Sequence, residues 1–124
     1  MPKKILVVDD EPHIVKLVQS RLKANGYDVI TAFDGKEALD IAHKENPDLI
    51  ILDLMLPQMD GYKVCGLLKR DTKYINVPII LFSARAQEED IKLGQEVGAD
   101  AYITKPFKPD ELLEKIEKLL KERE

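Results

Sequence analysis

Five short apolar runs alternate along the chain with longer amphipathic segments, and no other feature of the sequence restricts the fold as much. Strands separated by helices build an α/β domain with a mainly parallel sheet. Ile5-Leu6-Val7-Val8, Leu49-Ile50-Ile51-Leu52 and Ile79-Ile80-Leu81-Phe82 are continuously apolar rather than alternating, as central strands covered by helices on both faces require. Val29-Ile30-Thr31-Ala32 and Ala101-Tyr102-Ile103 are weaker runs that suit outer positions. At 124 residues, 44% of them hydrophobic, the chain can make one domain with a proper core, spanning residues 1–124, but not two ordinary ones.

The segments between the runs carry helix punctuation. Pro12 suits the first turn of a first helix, with Ile14, Leu17, Val18 and Leu22 inward and Asn25-Gly26 as its stop. Asp34 and Glu37 form a capping pair for the second helix, which Asn46-Pro47 ends. A third helix follows Asp60-Gly61 with Val64, Leu67 and Leu68 inward, and a polar, glycine-interrupted fourth runs from Gln87 to Val97. The fifth has Pro109 in its first turn and Asp110 and Glu111 at the positive end of its dipole. Leu112, Leu113, Ile116, Leu119 and Leu120 follow at helical spacing.

Charge and composition exclude several functions. Nineteen Lys and Arg against 23 Asp and Glu give a net charge of −4, dispersed along the chain, without the basic footprint of sequence-independent nucleic-acid binding. Cys65, the single cysteine, has no disulfide partner and no metal-ligand spacing, and reads as a small buried apolar residue. No apolar run reaches membrane-spanning length, and Met1-Pro2-Lys3-Lys4 leads directly into a strand rather than a signal-peptide core. A soluble, cytoplasmic protein that does not bind membranes is expected.

The chemistry gathers at strand ends. Asp9 and Asp10 follow the first strand, Asp53 the third, Ser83 the fourth, and Lys105 comes just after the fifth. In a doubly wound five-stranded parallel sheet of flavodoxin-like order 2-1-3-4-5, with five helices, strands 1, 3, 4 and 5 are contiguous and ligands bind at their carboxyl ends. These side chains should converge there. Three carboxylates in one place repel and raise one another's pKa unless a cation offsets them. All-oxygen ligation without His or Cys suits Mg²⁺, whereas Ca²⁺ prefers more protein oxygens than are available. A carboxylate beside Mg²⁺ can attack phosphorus to give an aspartyl-phosphate. Lys105 would then neutralise charge on the phosphoryl oxygens, and Ser83 would donate a hydrogen bond to one. A cis bond at Lys105-Pro106 would fix the lysine's direction.

Each residue also has a plainer reading. Asp10 alone suits a helix N-cap, Asp53 a turn after its strand, Ser83 a cap for the fourth helix and Lys105 a solvated charge. Their joint arrival from four strand ends favours a site. His13 lacks a second ligand at metal spacing, and His43 reads as a solvated helix residue.

Taken together these residues resemble the receiver domain of bacterial-type two-component response regulators, over essentially the whole chain. The resemblance rests on Ile5-Leu6-Val7-Val8-Asp9-Asp10, Asp53-Leu54-Met55-Leu56-Pro57 with Met59-Asp60-Gly61, Ser83-Ala84 and Lys105-Pro106-Phe107. It implies that Asp53 is the phosphoacceptor, that Asp10 and Asp53 bind Mg²⁺ directly, that Asp9 helps through water, and that the Met55 backbone carbonyl completes the protein ligands. It further implies that Ser83 and Tyr102 are switch residues and that the face made by helix 4, strand 5 and helix 5 responds to phosphorylation. The phosphoryl group would come from a histidine kinase or phosphotransfer protein and the signal would pass to an unknown protein target, with no direct contact between this domain and nucleic acid. Met55, Ala84 and Arg85 would influence how long the phosphoryl group survives.

Two rival functions are weaker. Magnesium-dependent phosphatases of the haloacid-dehalogenase type resemble Asp-x-Asp, whereas position 55 is Met and no length remains for a cap domain. A module that had lost phosphorylation would have replaced Asp53, Lys105 or an acidic ligand, and none is replaced. A signalling switch rather than an enzyme is expected. The chain either acts alone or was cut from a longer regulator. DNA-binding members often carry two adjacent acids where this sequence has Asp100-Ala101, so Ala101 weakens that charged dimer face, leaving a monomer or a weak phosphorylation-dependent dimer.

Overall fold

Each of the five apolar runs forms a strand in the computed structural model, which describes residues 2–84 and 87–123. The strands are β1 (Lys4–Val8), β2 (Asp28–Ala32), β3 (Leu49–Asp53), β4 (Ile79–Ser83) and β5 (Ala101–Thr104). They alternate with α1 (Pro12–Ala24), α2 (Gly35–Glu45), α3 (Gly61–Arg70), α4 (Glu88–Glu96) and α5 (Pro109–Arg123). Every pairing is parallel and the order is β2-β1-β3-β4-β5, as the sequence predicts.

Side chains alternate across a strand, so a strand covered on both sides has no position to spare for a polar residue. Leu6, Val8, Ile50, Leu52, Ile79 and Leu81 face a layer closed by Ala38 and Ala42 of α2 and by Val64, Cys65 and Leu68 of α3. Ile5, Val7, Leu49, Ile51, Ile80 and Phe82 face the opposite layer, closed by Val18 and Leu22 of α1 and by Leu112, Ile116 and Leu120 of α5. Burying each such Leu, Ile or Val contributes about 1.5–3 kcal/mol. Polar residues enter β3 and β4 only at their last positions, Asp53 and Ser83.

Local caps set the helix ends. The Asp34 carboxylate accepts the Glu37 amide at 2.8 Å, while the Glu37 carboxylate reaches back to the amide of Phe33, not of Asp34, at 3.0 Å. Asn46 closes α2 in the left-handed region at φ 49°. Asp60 caps α3 by accepting from the Lys63 amide at 2.9 Å. The inward faces of two helices differ from expectation. Val15, Val18 and Leu22 are buried in α1 while Leu17 is exposed, and Cys65 is buried in α3 while Leu67 is exposed. An apolar residue beside the buried stripe matches helical periodicity almost as well as one inside it, and only the sheet decides which set turns inward.

At the amino-terminal edge of the sheet Lys69 is nearly buried and pairs with Asp100 at 2.8 Å, donating also to the Val77 carbonyl at 2.8 Å. Asp100 in turn accepts the Ile79 amide at 2.9 Å, so this acid locks the entry to β4 and β5. Cys65 is buried as expected, its Sγ 3.8 Å from the Val97 carbonyl oxygen, and burial pushes its thiol up to about 12.

Candidate functional site

The ladder hydrogen bonds run past the strand ends and aim the residues beyond them. The Asp9 amide donates to the Ala32 carbonyl at 3.2 Å, that of Leu54 to Phe82 at 3.2 Å, and that of Lys105 to Ser83 at 2.8 Å. Among the described residues the buried polar side chains are Asp9, Asp53 and Ser83, all at this carboxyl edge. Burying a carboxylate is costly unless it is paired, so three buried polar groups in one place mark a site rather than a core.

Lys105 closes the pocket. Its Nζ lies 3.0 Å from Asp9 Oδ2, 3.2 Å from Asp53 Oδ2 and 3.6 Å from Glu11 Oε1, and 4.7 Å above the Phe82 ring. The side chain is only 15% exposed, which rules out a solvated surface charge. The Lys105-Pro106 bond is cis. Asp9 Oδ1 accepts the Glu11 amide at 2.9 Å and Asp53 Oδ1 accepts the Met55 amide at 3.0 Å, so both carboxylates are held on two sides. Asp53 therefore does make the turn contact that the plainer reading gave it, while also facing the lysine. Glu11, not Asp10, occupies the cap position of α1, without a side-chain cap bond, and α4 is capped by Asp90 accepting the Gln87 amide at 3.3 Å, not by Ser83.

Gly61 brings α3 against the site. Its amide donates to the Leu54 carbonyl at 3.0 Å, and a Cβ there would lie 2.4 Å from the Asp53 carbonyl oxygen. Only glycine permits that approach. Oxygen atoms of Asp9, Asp10, Glu11 and Asp53 all lie within 4.8 Å of one another, with Asp10 and Glu11 exposed at the mouth. Glu11 joins the acids expected from the sequence, where nothing singles it out. Beside Asp10 an open cleft of about 440 Å³ runs along Met55, Leu56, Pro57, Asp60 and Tyr62. His13 is 74% exposed, its Nε2 3.4 Å from Glu11 Oε2, and His43 is exposed on α2.

Burial raises the Asp53 carboxyl to about 6, helped by the charge of Asp9 and opposed by the Met55 amide and by Lys105. For Lys105 burial works against the charge, but the Asp9 hydrogen bond and the charges of Asp53 and Asp9 outweigh it and leave the ammonium above its ordinary range. An all-oxygen donor set with excess negative charge fits a hard divalent cation such as Mg²⁺.

Beyond the acids, Tyr102 of β5 is half-buried, and its hydroxyl is hydrogen-bonded to Ser83 and to Tyr62. Burial, with the neighbouring Tyr62, pushes that phenol up to about 12. Ala84 is exposed after β4, and Arg85 lies outside the described residues.

Residues 5–117 match the model of the response regulator receiver domain. The chain belongs to that family. It is 51% identical over 124 residues to the alkaline phosphatase synthesis transcriptional regulatory protein PhoP of Bacillus subtilis, covering 100% of this chain and 51% of that protein. It is 48% identical over 119 residues to the probable transcriptional regulator ycf27 of Porphyridium aerugineum, covering 96% of this chain and 48% of the relative. The receiver thus spans about half the length of these curated relatives. Among solved structures it superimposes on the chemotaxis response regulator CheY4 of Vibrio cholerae with a TM-score of 0.91 at 34% identity, covering 96% of this chain and 99% of that one. A CheY-like receiver domain protein from Methanospirillum hungatei gives a TM-score of 0.93 at 32% identity, covering 99% and 97%.

Proposed function

We propose that this receiver takes a phosphoryl group onto Asp53 from a histidine kinase or phosphotransfer protein, with Mg²⁺, and signals through the face formed by α4, β5 and α5. The observation that carries the reading is the buried Asp53 carboxylate, held between Lys105 and the Met55 amide in a cluster of four acids. In the transfer an Asp53 carboxylate oxygen forms a bond to phosphorus as the bond from phosphorus to the donor nitrogen breaks. The donor imidazole leaves with the electron pair. Asp10, Asp53 and the Met55 backbone carbonyl are the direct Mg²⁺ ligands in this reading, with Asp9 acting through water and Glu11 at the rim. Bound there, Mg²⁺ offsets the negative charge that gathers on the phosphoryl oxygens. Lys105 supplies a second positive charge, and Ser83 donates to a phosphoryl oxygen once it lets go of Tyr102.

The protein acts as a switch and not as a turnover enzyme, because the position two residues after Asp53 is Met55, which offers no acid/base group. The domain, residues 1–124, works in the cytoplasm as a monomer or a weak phosphorylation-dependent dimer, and none of its described helices is long and apolar enough to cross a membrane. Asp100 is tied to Lys69 and the Ile79 amide, which weakens it further as part of a charged dimer face. Because both curated relatives are named transcriptional regulators, the output we infer is control of transcription through a protein partner, with no nucleic acid bound by this domain. The test is incubation with Mg²⁺ and acetyl phosphate followed by mass spectrometry. One added phosphoryl group is expected on wild type and none on Asp53→Asn. An unmodified wild type, or an equally modified variant, overturns the reading.

A further inference from the structure

Lys105 has a partner besides its carboxylates, and that partner is an aromatic ring. Phe82, the residue before Ser83 on β4, is buried in the layer closed by α1 and α5, and the Lys105 Nζ lies 4.7 Å from its ring centroid. Phe107, from the segment that carries the lysine, packs on Phe82 in a T-shaped pair, with centroids 5.6 Å apart and planes at 81°. The strand, the core and Phe107 together fix the ring. A buried strand position requires only an apolar side chain, which Leu or Ile would satisfy equally well. An aromatic residue adds a face whose quadrupole attracts a cation, most strongly where water is shut out, and the Lys105 side chain is only 15% exposed.

The carboxylates and the ring differ in what a phosphoryl group does to them. Lys105 donates to Asp9 Oδ2 and Asp53 Oδ2, and phosphorylation turns the Asp53 carboxylate into an acyl phosphate with one oxygen fewer to offer. The ring is uncharged and fixed, and it keeps its face toward the ammonium whichever acceptor the ammonium has. We propose that Phe82 is a positioning residue for Lys105, its ring face holding the ammonium in the pocket while the ammonium exchanges Asp53 for a phosphoryl oxygen. This rests on the phosphoacceptor reading and deepens it by naming the group that seats the lysine. A long lysine side chain loses much rotamer freedom when it is ordered. An ammonium that the ring already orders needs no further ordering during transfer. A cation over a ring at a sheltered site is worth about fivefold in an equilibrium constant, and the rate of phosphorylation gains by up to the same factor.

The experiment replaces Phe82 alone, by site-specific incorporation, with mono-, di- and trifluorinated phenylalanine. Fluorine drains negative charge from the ring face and changes the ring's size little, so the core stays filled. Denaturant unfolding in EDTA compares each ring in the otherwise wild-type chain and in Lys105→Ala. With the lysine present, the trifluorinated ring should favour unfolding by about fivefold more than the same change does in Lys105→Ala. With Mg²⁺ and acetyl phosphate, mass spectrometry gives the rate of phosphorylation. It should fall with each added fluorine, by up to about fivefold in all, and stay level along the series in Lys105→Ala. A stability effect equal in both backgrounds shows that the ring only packs, and overturns the contact. A rate that does not fall, or that falls equally in both backgrounds, overturns the positioning role. Either result leaves the phosphoacceptor reading standing. An unsubstituted protein that takes up no phosphoryl group overturns that reading itself, and this inference with it.

Discussion

Replacing Asp53 by Asn should stabilise the metal-free protein, although it removes an ion pair with Lys105. The reason is the direction of the Asp53 shift, from 3.8 to about 6, caused first by burial and then by Asp9. A folded-state pKa above the unfolded value means that stability is full below the unfolded pKa and is lost as pH rises through the folded one. Two pKa units correspond to about 3 kcal/mol, and solvent at the mouth of the pocket screens this to about 1.5 kcal/mol. At about pH 8 without metal, Asp53→Asn should therefore unfold about 5 °C higher than wild type. The gap should narrow toward about pH 5, where wild-type Asp53 takes up its proton. Mg²⁺ acts in the opposite sense, since a ligand that binds only the folded state stabilises it by mass action, and it should raise wild type more than the variant. Thermal unfolding followed by circular dichroism, in EDTA and in Mg²⁺, measures all of this. A variant no more stable than wild type at the higher pH in EDTA would refute the claim that the charged Asp53 is held there at a net cost.

Three other outcomes are expected. Lys105→Ala should still accept phosphate from acetyl phosphate at Asp53, but α4 should no longer respond by NMR; an unchanged response would remove Lys105 from the coupling. Gly61→Ala should lower stability by about 2 kcal/mol or more in a denaturant melt, because its Cβ would fall 2.4 Å from the Asp53 carbonyl oxygen. Alanine normally favours a helix by about 1 kcal/mol over glycine, so a stabilised variant would contradict the close approach. Cys65 should resist a thiol reagent at about pH 8 until the protein unfolds, since burial keeps its thiol protonated up to about 12; rapid labelling of the native protein would show that α3 opens.

How much of this was readable depends on what each residue must satisfy. Strands buried on both faces cannot tolerate polar residues, so Leu49–Asp53 and Ile79–Ser83 announce both their identity and their ends in the sequence. The order of the sheet and the convergence of Asp9, Asp53, Ser83 and Lys105 follow from that. Helix faces were less legible, because Leu17 and Leu67 are as apolar as Val15 and Cys65 and only packing separates them. Glu11 was missed because an acid before Pro12 is also what a helix start calls for. Tyr62 left no trace, since its partners are a backbone carbonyl of another helix and a tyrosine on β5, and neither lies at a spacing that sequence periodicity can detect.

The distribution of charge explains why a signal from this pocket would leave through β4 and β5 rather than β1. Four carboxylates face one ammonium, so the pocket has room for a divalent cation without becoming positive. A phosphoryl group on Asp53 carries about −1.5 to −2 charges but takes the place of the carboxylate's own, so the pocket gains at most about one negative charge, and a carboxylate oxygen is used up. Lys105 now bonds both Asp9 and Asp53, and Ser83 is engaged with Tyr102. Asp9, with its amide on Ala32 and its carboxylate on the Glu11 amide, can keep its partners throughout. Lys105 and Ser83 are the groups that must exchange theirs. They lie on neighbouring strand ends joined by the Lys105 amide to the Ser83 carbonyl, so a change at one strains the other. The next atom along that route is the Tyr102 hydroxyl, beyond which stand Tyr62 and the first turn of α4, the helix whose polar sequence gives it the least apolar anchorage on the sheet.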